Sequence, residues 1–141
     1  VSEPNEFRAY FTLTGEFEPA DITVLIGLHP TEQWRKGEKF GQIKQLERKF
    51  SRWSLGTRLP RQSFLEDHVL DVLAQLEPVK ERVAALKSEW EPNLAMVAYF
   101  KENPQGFFFS RNVTSALAEM KLGMDLSLYY EGEDESADIL Q

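Results

Sequence analysis

One periodicity constrains this chain more than any other feature. In "SFLEDHVLDVLAQLEPVKERVAALKSEW", Leu65, Val69, Val72, Leu76, Val79, Val83, Leu86 and Trp90 recur at alternating steps of four and three. That is the stripe of an amphipathic helix, and a stripe this long demands a large apolar surface to lie on. Pro78 interrupts it, because proline lacks an N–H and its ring meets the carbonyl four residues back. The segment is therefore a kinked helix or two stacked helices, the second starting near Pro78. A coiled coil shares the spacing, but the stripe is too short and too interrupted to favour one. Ser63 with Glu66 has the pattern of a capping box.

The surface for that stripe comes from alternating segments on either side. In "EFRAYFTLTG", Phe7, Ala9, Phe11 and Leu13 point one way and Arg8, Tyr10, Thr12 and Thr14 the other, the mark of a half-buried strand. Pro19 suits the first position of a short helix carrying Ile22, Leu25 and Ile26, and Gly27 suits its left-handed cap, with Pro30 preventing continuation. "KFSRWSLGT" predicts a strand that buries Trp53 and Leu55. "NLAMVAYFK" and "GFFFS" flank "ENPQ" as strand, turn and strand. "NVTSALAEMKLG" predicts a helix ending at Gly123, and "MDLSLYY" alternates again. The run from Phe107 to Phe109 needs cover on both sides or leaves one ring exposed, and burial under a helix or a partner chain is the expectation.

These pieces predict one α+β domain over residues 1–130, with a mostly antiparallel sheet and helices packed mainly on one face. The expected order is β-α-β-α-α-β-β-α-β. The two ends share strand, short capped helix, glycine and later strand, which suggests a degenerate split-βαβ duplication. The acidic residues 131–141 predict a disordered tail.

Charge is sorted along the chain. Residues 29–62 sum to +6 and the remainder to −13, for a net −7. The basic segment contains a polar, glycine-bearing stretch of about twenty residues, long for a connection inside a compact domain. It begins in "IGLHPTEQWRKGEKFG". Here His29, Thr31, Trp34, Arg35, Lys36 and Lys39, with Arg52 further on, form a candidate binding surface. Trp34 is expected partly exposed or over a groove.

The order of elements is similar to a bacterial family known as a domain of unknown function, number 4279. The resemblance rests on "YFTLTG", "LIGLHPTEQWRKG", "WSL", "LEDHVLDVLAQLEP", "GFFFS" and "LGMDLSLYY", and it runs almost to Tyr130. It implies a small α+β domain and carries no catalytic residue.

Several chemistries are disfavoured. The chain has no cysteine, so thiol catalysis, disulfides and cysteine-bound zinc fall away. No Gly-x-Ser-x-Gly turn, phosphate loop, dinucleotide fingerprint or zinc-protease helix occurs. His29 is expected to serve a turn. His68 with Asp71 could share a helix face and hold a metal, but a solvated face is the expectation. No catalytic residue, cofactor or metal is assigned. Nucleic acid is disfavoured, because the acidic remainder would repel a long polyanion. No apolar run spans a bilayer and no leader is apparent, so a cytoplasmic protein is expected. The leading expectation is a non-enzymatic binding or protein-interaction module, a specific version of which is an immunity or inhibitor type. The alternative is an enzyme or sensor for a small anionic ligand at the basic loop.

Overall fold

The computed structural model describes residues 3–130. The sequence-predicted tail, residues 131–141, lies outside them. The expected α+β class is what the chain adopts. Strand β1 (Glu6–Gly15) is followed by α1 (Pro19–Ile26), then β2 (Glu32–Trp34), β3 (Lys39–Phe40), β4 (Leu46–Glu47) and β5 (Ser51–Gly56). Helices α2 (Leu65–Leu76) and α3 (Lys80–Ala84) come next, then β6 (Asn93–Phe100), α4 (Arg111–Glu119) and β7 (Gly123–Tyr130). The main sheet has the order β2-β5-β1-β6-β7, antiparallel except for the β6–β7 pair.

The core forms on one side of this sheet. Phe11 stands opposite Leu55 and Leu94, Leu13 opposite Trp53, and Ala9 opposite Met96. All are buried, and they form one cluster with Ile22 and Ile26 of α1, the α2 stripe, and Val113 and Leu117 of α4. Trp53 is fully buried, and its indole N–H donates to the Thr23 hydroxyl at 3.0 Å. Every α-helix longer than one turn and a half therefore lies against the same face. The other face, which includes Arg8, Tyr10, Arg52 and Tyr99, carries no helix.

Local physics explains the elements. Gly27 takes φ 86° as the cap of α1, and a side chain there would collide with the Arg82 guanidinium. Arg82 reaches the Ile26 carbonyl at 3.4 Å, so it supports the same helix end. At Gly15, φ 152° disfavours any side chain, and a Cβ would stand 3.1 Å from the Trp90 ring, so the ring would have to shift. Pro78 sits in a tight 3-10 turn, Glu77–Val79, so the stripe is two helices rather than one kinked helix.

Five expectations change. The segment expected to be without regular structure contains β2 and the small β3–β4 hairpin. "GFFFS" is not a strand: both sides of β6 are already taken by β1 and β7, so it cannot pair back onto β6 as a hairpin. Phe107 and Phe109 pack against the core, whereas Phe108 is 76% exposed. The capping box is not formed. Phe64 precedes the first turn of α2, and the Glu66 carboxylate instead accepts from the Ser110 N–H at 2.7 Å, tying α2 to the start of α4. The likeness of the two ends does not extend to strand direction, since β1 and β5 pair antiparallel while β6–α4–β7 is a direct parallel unit.

Candidate functional site

The seven sequence-predicted site residues do not converge on one place. Arg35 donates to both oxygens of Glu18, at 2.8 and 2.5 Å. Lys36 pairs with Glu16, and Lys39 with Glu47. Hydrogen bonds from these three cations hold the pKa of Glu18, Glu16 and Glu47 below the ordinary glutamate value. Arg35, Lys36 and Lys39 are thus each paired with a carboxylate, two of them with glutamates that precede α1. His29 is exposed on the turn after α1.

Trp34 is a pillar of the β3–β4 hairpin. The Arg48 guanidinium carbon lies 3.7 Å from the Trp34 ring centre and 3.9 Å from that of Phe40, sandwiched between the two. The Trp34 indole N–H donates to the Phe50 carbonyl at 3.0 Å. The ring is half-buried, in line with the expectation of partial exposure.

Thr31 and Arg52 lie on the helix-free face, with Arg52 directly across from Trp34 in the β2–β5 pair, and they line a hollow of about 500 Å³ with Arg8, Tyr10, Glu32, Ser54, Gly56 and Thr57. Strand register makes this hollow. Tyr10 stands between Gly56 on β5 and Ala95 on β6, so its ring has small neighbours on both sides. The Arg52 guanidinium is 5.2 Å from the Tyr10 ring centre and 5.3 Å from that of Trp34, and Arg8 is 5.9 Å from Tyr10. Among the described residues, no carboxylate lies within ion-pair distance of Arg8 or Arg52.

The Ser54, Thr31 and Thr57 hydroxyls around the hollow are already committed. Ser54 Oγ accepts from Arg52 Nε at 3.0 Å and shares a hydrogen bond with the Thr12 hydroxyl at 3.1 Å. The Thr31 hydroxyl accepts from the Gly56 N–H at 2.9 Å and donates to the Ser54 carbonyl at 3.2 Å. Thr57 Oγ1 lies 3.1 Å from His68 Nδ1. These bonds fix the rim. They leave the guanidinium ends, the Tyr10 ring and the Glu32 carboxylate as the groups available to a ligand.

His68 departs from its expected solvated face. It is fully buried, and its Nε2 has no partner among the described residues. Burial lowers its pKa, against weaker opposing effects from the Arg61 carbonyl, Asp67 and Asp71. The Asp71 carboxylate accepts from the Arg58 N–H at 2.8 Å, from Arg58 Nη2 at 2.7 Å and from Gln75 Nε2 at 3.0 Å. Burial alone would raise the Asp71 pKa, but these bonds together outweigh it and lower it.

Arg8 and Tyr10 were missed as site residues. Their signal was the outward-facing set of β1, and the gap was knowing which small residues flank them. No helix among the described residues is long and apolar enough to cross a membrane.

The chain belongs to the DUF4279 family: residues 5–131 match the family described as a domain of unknown function (DUF4279). No curated protein and no solved structure matches the chain.

Proposed function

We propose that this DUF4279 member is a non-enzymatic binding module whose helix-free sheet face receives a small anionic molecule in the hollow around Tyr10. The observation that carries this reading is the pair Arg8 and Arg52, which flank one aromatic ring and have no carboxylate partner among the described residues. A guanidinium presents several N–H donors in a plane and suits carboxylate or phosphate oxygens. The hollow is of the size that small ligands occupy. Tyr10 offers a flat apolar surface beside the charge. Glu32 at the rim can accept from an ammonium or hydroxyl, so a ligand with an anionic end and a donor end fits best.

A binding role is favoured over catalysis by the state of the hydroxyls. Nucleophilic catalysis needs a hydroxyl aimed at substrate and activated by a base. Ser54 and Thr31 are instead tied into the sheet, and the Thr57–His68 contact faces the core.

Amide and arginine side-chain NMR during titration with inorganic phosphate, succinate and benzoate tests the reading. The expected result is saturable shifts at Arg8, Tyr10 and Arg52, lost in Arg52→Gln. A silent hollow with all three probes overturns it. Saturation only by an acidic hexapeptide would replace the small-molecule reading with contact to a protein partner.

A further inference from the structure

We propose that β7 is a self-association edge: it pairs with β7 of a second copy, antiparallel about a two-fold axis at Ser127, to make one continuous ten-stranded sheet. β7 ends the sheet, with β6 on one side and, among the described residues, no strand on the other. Eight residues of strand extend about 27 Å. An edge of that length presents unpaired N–H and C=O groups, and proteins blunt such edges with short strands, proline, lysine or bulges. The opposite edge follows that rule, since β2 has three residues and comes just after Pro30. β7 does not. It contains no proline or lysine, and its only charged residue is Asp125.

The side chains of β7 are uncovered in a regular way. Met124, Leu126, Leu128 and Tyr130 stand opposite Leu94, Met96, Ala98 and Phe100, so they share the core side of the sheet. Those β6 partners are buried, yet the β7 residues are 50, 42, 57 and 49% exposed. The helices stop short of this strand. On the other face Tyr129 stacks on Tyr99 at 5.4 Å and remains 52% exposed.

For two copies of this chain, charge selects the register. Two chains of net charge −7 repel each other, so they associate best where charge is scarce. A register centred on Ser127 sets Met124 against Tyr130 and Leu126 against Leu128, each on the core side. On the open side it sets Asp125 against Tyr129 and Ser127 against itself. Centring on Asp125 would place like charges directly opposite, which is destabilising. The Ser127 register keeps them apart and uses Met124 through Tyr130 of both copies. With five large, half-exposed side chains from each copy, the pairing buries at most on the order of 1,000 Å² in total, the size of a weak, reversible interface. The axis is perpendicular to the sheet, so both Tyr10 hollows open on the same side of the dimer.

The test uses the full chain and sedimentation equilibrium from micromolar to sub-millimolar concentration. The expected result is a reversible monomer–dimer equilibrium, weakened about tenfold or more by Leu126→Lys with Leu128→Lys. Because the chain has no cysteine, Ser127→Cys should give a disulfide-linked dimer under mild oxidation, and Asp125→Cys should not. This second readout stands even if the double-lysine variant fails to fold. A wild-type chain that stays monomeric at every concentration overturns the proposal, whether its own residues 131–141 or another protein covers the edge. So does a dimer that ignores both lysines and leaves Cys at 127 unlinked.

Discussion

The guanidinium carbon of Arg48 sits 3.7 Å from the centre of the Trp34 ring. This contact makes Trp34 part of a folded hairpin instead of a free binding group, while leaving one edge of the ring wet. In single-tryptophan variants, acrylamide should quench Trp34 more than Trp53, which is fully buried. Arg48→Ala should increase Trp34 quenching further and cost about 1 kcal/mol, the scale of a partly exposed cation–π contact. Equal quenching of the two rings would mean that the hairpin closes over Trp34 completely.

The α2 stripe should dominate stability. Leu76 is fully buried between α2 and the sheet, so Leu76→Ala should cost about 2–5 kcal/mol in urea unfolding. Leu70 is on the outer side of the same helix and 39% exposed, so Leu70→Ala should cost less than about 1 kcal/mol. Similar losses at both positions would show that the helix packs on both faces.

These two cases show what was legible in the residues and what was not. The stripe and the alternation in β1 were plain, because each repeats one period and each buries one face. His68 was legible in principle: it lies three residues after Leu65 and four before Val72, inside the stripe, but the neighbouring Asp67 and Asp71 drew it toward solvent. The neutralisation of Arg35 by Glu18 was not legible, because it depends on α1 and β2 meeting in space. The hollow was hidden for the same reason. Nothing local to Tyr10 indicates that Gly56 and Ala95 flank it.

His68 should make stability depend on pH. Its pKa in the fold is lowered by burial, so the unfolded chain binds this proton more readily than the folded one. Stability is then fully present above the unfolded value of about 6.5 and falls as pH drops below it, by at most about 1.4 kcal/mol per pH unit. The lowered carboxylates, such as Asp71, take over only at more acidic pH. Urea midpoints between pH 7.5 and 5.0 should decline for the wild type. His68→Asn should start lower and stay flatter over that window. A wild-type midpoint that is constant down to pH 5 would show that the buried imidazole accepts its proton without penalty.

The last prediction separates the two places where this chain could hold an anion. By sequence alone, the strongest candidate is the basic run with Arg35, Lys36 and Lys39. In the fold each of these side chains already holds a glutamate, so an incoming anion must compete with a carboxylate in place. Among the described residues, Arg8 and Arg52 have no carboxylate at ion-pair distance. Replacing Arg35, Lys36 and Lys39 together with Gln should leave phosphate or benzoate binding nearly unchanged. Stability should also hardly change, because exposed ion pairs contribute little. Replacing Arg8 and Arg52 with Gln should abolish binding while the core, which lies on the other face, keeps its melting behaviour. Whatever binding the wild type shows should weaken as salt rises, since exposed charges are screened over about 10 Å at 0.1 M. The reverse pattern, with binding lost in the triple variant and kept in the double one, would return the working surface to the loop between Pro30 and Gly37. The glutamates there would then act as placeholders that a stronger anion displaces.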